Sequence, residues 1–257
     1  MASAPQPTGL PILYKDLVPL SSDQHADWGT KSLDGLHFLK GQHAVPIVID
    51  EFVQVQRSFP IIFADADYPV PLALMGLNEG VNVFLDADDR FSQPLYVPAY
   101  IRRYPFMLAQ LGQNPQELSL CFDPTSGAVG PDGEAVKLFE NGQPSQGTKD
   151  ILSFCEQFEQ GAQRTGAFIK ELQDLDLLMD GEVSIQPEGA TQPHIYRGFK
   201  MVNEEKLRDL RGDQLRKMMQ SGMLTLIMAH LFSLDLMREI YGRQAAQGKL
   251  PPVGVPA

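Results

Sequence analysis

Two adjacent arginines, Arg102 and Arg103, lie in the twelve-residue stretch from Leu95 to Phe106, which also carries Tyr96, Tyr100, Tyr104, Pro98 and Pro105. A guanidinium grips a carboxylate or phosphate through two parallel hydrogen bonds, so a neighbouring pair can act as an anion clamp. The tyrosines recur every four residues, which puts them on one face if the segment is helical and sets an aromatic wall beside the clamp. The competing assignment is structural: the rings enter the core and the arginines pair with Asp86, Asp88 or Asp89 just upstream. Each proline biases the residue before it, Val97 or Tyr104, toward extended backbone, so the segment between them holds about two helical turns at most. The stretch reads as a stiff connector lined with tyrosine.

Other residues with chemical potential give weaker patterns. His25, His37, His43, His194 and His230 show no recognised metal-ligand spacing. His37 and His43 would need Asp50, Glu51 or another ligand brought to them by the fold. His230 sits in an apolar helical stretch, where a satisfied core or interface histidine is the commoner outcome, and it joins Arg102, Arg103, Tyr96, Tyr100 and Tyr104 in the candidate ligand-binding set. Asp86-Ala87-Asp88-Asp89 starts like a calcium loop but fails at Phe91, where glycine is needed, and at Val97, where a bidentate glutamate belongs. No Gly-x-Ser-x-Gly elbow, P-loop or dinucleotide fingerprint is present, so no catalytic residue is assigned and no cofactor or metal is expected. Cys121 and Cys155, the only cysteines, fall in a strand and on the buried face of a helix, and are read as reduced core thiols.

A formal net charge of −11 over 257 residues argues against nucleic acid and anionic membrane surfaces, which are bound through Lys and Arg. The longest apolar run, Met223 to Leu234, is too short to span a bilayer, so no membrane span is expected. The first ten residues lack the basic start and apolar run of a secretory signal, and the expected location is cytoplasmic.

The elements that must position these residues form two blocks. Val45–Ile49, Phe59–Ala64, Leu72–Leu77, Val81–Leu85 and Leu118–Phe122 have strand length and β-favouring content, with a hairpin over 72–85 turning at Asn78-Glu79-Gly80 and a short helix capped by Asp50 over 50–57. Residues 123–147 read as surface loop with one short strand near 135–139. Thr148 is expected to cap a long helix whose apolar stripe runs from Ile151 to Leu175, with a break or a close backbone approach at Gly161 and Gly166. Val183–Ile185 and His194–Val202 suggest a second hairpin across a Pro-Glu-Gly turn. A short helix at 204–210 precedes a final helix from Asp213 to Tyr241. The fold class is α+β, a mainly antiparallel sheet from the first half packed against two long helices from the second. One domain over 13–242 is expected, with flexible tails at 1–12 and 243–257.

The run Asp86 to Phe91 followed by Tyr96 to Phe106 resembles the SapC family of bacterial proteins, and so does Phe59-Pro60-Ile61-Ile62-Phe63. Arg197 to Leu207 and Ala229-His230-Leu231-Phe232-Ser233-Leu234 are similar to the carboxy-terminal motifs of that family, in the same order. The resemblance implies a link to bacterial surface-layer or cell-envelope pathways and supplies no catalytic mechanism. The expected function is a non-enzymatic binding or assembly protein with a protein or peptide partner. That partner would be met on the connector or on an exposed part of the methionine-rich last helix, and homo-oligomers through the 213–241 helix are possible. The alternative is an enzyme, or an accessory subunit of one, with an Arg/His-lined pocket for an anionic small molecule or peptide, metal-dependent or not.

Overall fold

The computed structural model describes residues 9–111, 118–186 and 192–250. The Pro-Glu-Gly turn and the outer parts of the two tails lie outside them. The architecture is α+β, and every strand pair among the described residues is antiparallel. Contacts group into two compact units: the chain up to Phe38 with Ile101–Glu159, and Leu39–Tyr100 with the chain from Gln160 onward.

In the first unit, Phe106–Gln110 pairs with Leu118–Phe122, which pairs in turn with Val18–Pro19. Phe106, Leu108, Phe122, Val129, Leu138 and Cys155 form its core. The strand Phe106–Gln110 was not expected, because Met107, Ala109 and Gln110 carry little β preference and only pairing with Leu118–Phe122 makes it a strand.

The second unit is built on a five-stranded sheet, ordered Leu178–Asp180, Phe199–Val202, Ile61–Ala64, Pro71–Leu74, Ala44–Pro46. Val45, Ile61, Phe63 and Ala73 share one face by register and are wholly buried. Against this sheet packs the helix Met223–Ser233. His230 joins helix to sheet through an unusual splice. Phe199 and Lys200 pair directly with Ala64 and Phe63, and continuing that register would set Val202 opposite Ile61. There the imidazole stands between the strands: Val202 N–H donates to Nε2 at 3.1 Å, and Nδ1 donates to the Ile61 carbonyl at 2.7 Å. Because one partner is a donor and the other an acceptor, the ring must be the neutral Nδ1–H tautomer. Ser233, one turn on, accepts from Ile61 N–H at 2.8 Å and donates to the His230 carbonyl at 2.6 Å.

Several expected elements are redrawn. The final helix is three, Gly212–Ser221, Met223–Ser233 and Leu236–Ala246, separated by Gly222 in the left-handed region and by a turn at Leu234-Asp235. Arg211, not Asp213, is the N-cap of the first. The last helix passes the expected tail boundary, since Gln244 is fully buried, accepting from Leu77 N–H and donating to Asn78. Val81–Leu85 is not a strand: Pro71–Leu74 takes its partners from Ile61–Ala64 and Ala44–Pro46, and the chain after Gly80 returns with a Val83 N–H to Met75 bond. His194–Val202 is two strands, parted by Gly198 at φ 87°; the first, His194–Tyr196, pairs with Val183–Ile185. The long helix Gln146–Asp174 is unbroken and capped by Ser145, whose hydroxyl accepts from Thr148 N–H. Gly161 and Gly166 mark close approaches, where a Cβ would come within 3.0 Å of the Asp50 carboxylate and 2.5 Å of the Tyr68 hydroxyl.

Burial holds the His230 pKa down at about 4, against an ordinary 6.5. Between these values the unfolded chain binds a proton that the folded chain refuses, so stability is full above pH 6.5 and falls as pH drops toward 4, by on the order of 3 kcal/mol. Urea unfolding of wild type and His230→Gln across this range should show a shallower pH dependence in the variant.

Candidate functional site

The connector that carries the arginines is held at its start by a buried carboxylate. Glu51 ends a 3-10 turn, Ile49–Glu51, and is 3% exposed. Its Oε1 accepts from Val48 N–H at 3.0 Å, while Oε2 accepts from the Tyr96 hydroxyl at 3.0 Å and from Ala99 N–H at 2.8 Å. Ala99 opens the five-residue helix Ala99–Arg103, so the carboxylate satisfies an N-terminal amide of a helix where negative charge is favoured. A charged group at such burial is tolerable only with several donors, and these three come from two distant stretches of sequence. Asp50, expected as a cap, instead pairs with Arg164 at 3.0 Å.

The helix is one turn and a half long, within the two-turn limit set by its flanking prolines. It separates the roles of the two arginines. Arg103 is 6% exposed, ion-paired to Glu159 at 3.1 Å, and its guanidinium lies 4.0 Å over the Phe158 ring. That charge is built into the first unit. Arg102 is exposed, with its guanidinium 5.0 Å over Phe154. Both line a cleft of about 220 Å³ with Phe106, Ile151, Phe154 and Cys155 below and Asp150 at its edge. The cleft therefore offers an apolar floor, one neutralised internal ion pair, and an exposed guanidinium already oriented by an aromatic face. Burial pushes the Cys155 thiol up to about 11, so it is a protonated floor group and no nucleophile.

The tyrosines are divided between the two units. Tyr96 precedes the helix and is bound to Glu51; Tyr100 is buried with it in the second unit. Tyr104 follows the helix in the first unit, its ring centroid 4.3 Å from that of Phe38 in a tilted contact and 5.3 Å from that of Tyr14 edge to face, and its hydroxyl reaches Asp123 at 3.5 Å. Burial, then the Asp123 charge, raises its pKa to about 12. Of the candidate set, Arg102 and Arg103 line a shared cleft. His230 belongs to the second unit, fully buried with both ring nitrogens bound to backbone. The aspartate turn organises itself: one Asp86 oxygen accepts from the Asp88 and Arg90 amides, each at 2.9 Å. Among the described residues, no three His, Cys, Asp or Glu side chains are grouped to hold a metal, and no helix is long and apolar enough to cross a membrane.

Sequence reasoning missed Glu159, and raised Glu51 only as a possible ligand beside His37 and His43. The signal for Glu159 was available, because it lies on the same helix as the Ile151 to Leu175 stripe and one residue past Phe158. Glu51 had no comparable signal, since a carboxylate beside Asp50 reads as an exposed helix start.

These features define an α+β protein with a basic-edged apolar cleft, in which no three His, Cys, Asp or Glu side chains among the described residues are grouped to hold a metal. The SapC family model matches residues 20–240, and the chain belongs to the SapC family. No curated protein and no solved structure matches the chain.

Removing each charge should separate structural from surface roles. Arg103→Ala strands Glu159 and empties the space over Phe158, and should cost about 3 kcal/mol. Glu51→Gln, which turns an amide donor toward backbone donors, should cost about 2 kcal/mol. Arg102→Ala should stay within about 0.5 kcal/mol of wild type. Chemical denaturation of the three variants checks the ordering.

Proposed function

We propose that this SapC-family chain is a non-enzymatic binding or assembly protein of the cytoplasm, acting in a surface-layer or cell-envelope pathway. Its partner is a protein or peptide, and the connector is the surface that meets it. The observation that carries this reading is the Arg102 edge of the cleft, an exposed guanidinium beside an apolar floor of Phe106, Ile151 and Phe154. Such a surface suits a segment that places an acidic side chain next to an aromatic or aliphatic one. Exposed Met219 and Phe232, each at 65%, supply a second apolar contact on the carboxy-terminal helices, suited to an adaptable interface or to a second copy of the chain. The surface-layer link rests on the resemblance of the connector and the two later motifs to the family. Both ring nitrogens of His230 are bound to backbone, so the histidine of the enzymatic alternative, a pocket built around Arg102, Arg103 and a histidine, is not His230.

Panning a random peptide library against the purified chain tests this. Enriched peptides should pair Asp or Glu with a large apolar residue, and Arg102→Ala should weaken their binding roughly tenfold without altering the melting temperature. Absence of enrichment, or equal binding by wild type and variant, would contradict the proposal.

A further inference from the structure

A second cavity, of about 150 Å³, lies wholly within the second unit. Ile62 and Leu74 from the central sheet, Phe199 from its neighbouring strand and Met237 from the last helix give it an apolar floor. A space of this size holds a body no larger than about a benzene ring. Five polar side chains also line it: His43, Asn78, Glu79, Tyr196 and Arg197.

Their bonding is incomplete. The Tyr196 hydroxyl is buried without a hydrogen-bond partner among the described residues, in a residue only 4% exposed. An orphaned buried hydroxyl is uncommon in a native fold, where such groups are nearly always satisfied. Among the described residues, Glu79 is exposed and takes part in no ion pair, and neither His43 nitrogen has a protein partner, although the His43 carbonyl accepts from Met75 and Gly76 amides. The remaining charge at this cavity, Arg197, is spent on Glu182, with Nε at 2.7 Å and a terminal nitrogen at 2.6 Å from one carboxylate oxygen. The uncompensated charge of the lining is therefore the single negative charge of Glu79, in a protein that is itself strongly acidic. Burial lowers the pKa of His43, outweighing the opposing influence of Glu79, so its imidazole is available as an acceptor at neutral pH.

The geometry points to a binding site for a small primary alkylammonium, with its hydrocarbon body on the Ile62, Leu74, Phe199 and Met237 floor and its N–H donors shared among Glu79, His43 and water. An ammonium has three donors and no acceptor, and the lining offers a carboxylate and an imidazole nitrogen. Tyr196 contributes wall only, because its hydroxyl has almost no accessible surface. This assignment is independent of the peptide cleft at Arg102, which belongs to the other unit. It also gives a role to Arg197-Gly198-Phe199, where Gly198 at φ 87° turns the chain between the hairpin and the sheet at the cavity wall.

Saturation-transfer NMR and calorimetry on the full chain, with n-butylammonium as probe and n-butanol and n-butyrate as isosteric controls, test the site. Butylammonium should bind in preference to both controls. Glu79→Gln, an exposed substitution that leaves the core intact, should weaken it roughly tenfold. Failure of butylammonium to bind, binding of butanol or butyrate with equal affinity, or undiminished binding to Glu79→Gln would overturn the assignment.

Discussion

One imidazole bridges the helix Met223–Ser233 to two strands of the central sheet. Where Phe199–Val202 and Ile61–Ala64 part, the backbone of Val202 and Ile61 would be left unpaired in the core, at a cost per group comparable to a lost hydrogen bond. His230 fills the gap by accepting from one strand and donating to the other, and Ser233 takes the remaining Ile61 amide. The sheet face of Val45, Ile61, Phe63 and Ala73 is thereby covered by the helix that supplies the splice. Only a neutral ring can do this, which ties the integrity of the sheet to a proton that His230 must not take up.

The same logic governs the connector. Glu51 is a buried charge made tolerable by three donors, and two of them, Tyr96 and Ala99, belong to the segment that leads to the arginines. Buried polar groups with complete partners define one arrangement and penalise others. Gln244 does similar work at the Leu77-Asn78 loop. The stretches that resemble the SapC family thus coincide with polar locks inside the fold: Tyr96 to Arg103 on Glu51 and Glu159, Phe199 to Val202 on His230, and Ala229 to Leu234 supplying His230 and Ser233. Surface function is left to fewer groups, of which Arg102 is the clearest on the connector.

Much of the fold was legible in the chain. The helical stripe from Ile151 onward and the strand runs near 45, 61, 72 and 118 follow from periodicity, whereas Gly161 and Gly166 admit side chains of Asp50, Val48 and Tyr68 and not the expected backbone. Periodicity identifies a buried face without naming what covers it, so Pro71–Leu74 was matched to the adjacent run at 81–85 rather than to its two true partners. Gly222 was passed over because the apolar residues on either side continue the pattern, although its positive φ divides the helix. At the site, the pair of arginines was legible but their division was not. One buried and one exposed guanidinium depends on Glu159 and Phe158 reaching the connector from more than fifty residues away. The four-residue spacing of the tyrosines suggested a wall, yet only Tyr100 is helical, because the helix begins at Ala99 and ends at Arg103.

The protonation state of His230 is the property on which the splice depends most directly. Nitrogen-15 NMR of histidine-labelled protein at about pH 5, where an ordinary histidine is charged, should show His230 neutral with the proton on Nδ1 and with Nε2 coupled to the Val202 amide. A charged ring at that pH, or a neutral ring protonated on Nε2, would contradict the splice and with it the structural role of the family's carboxy-terminal motifs.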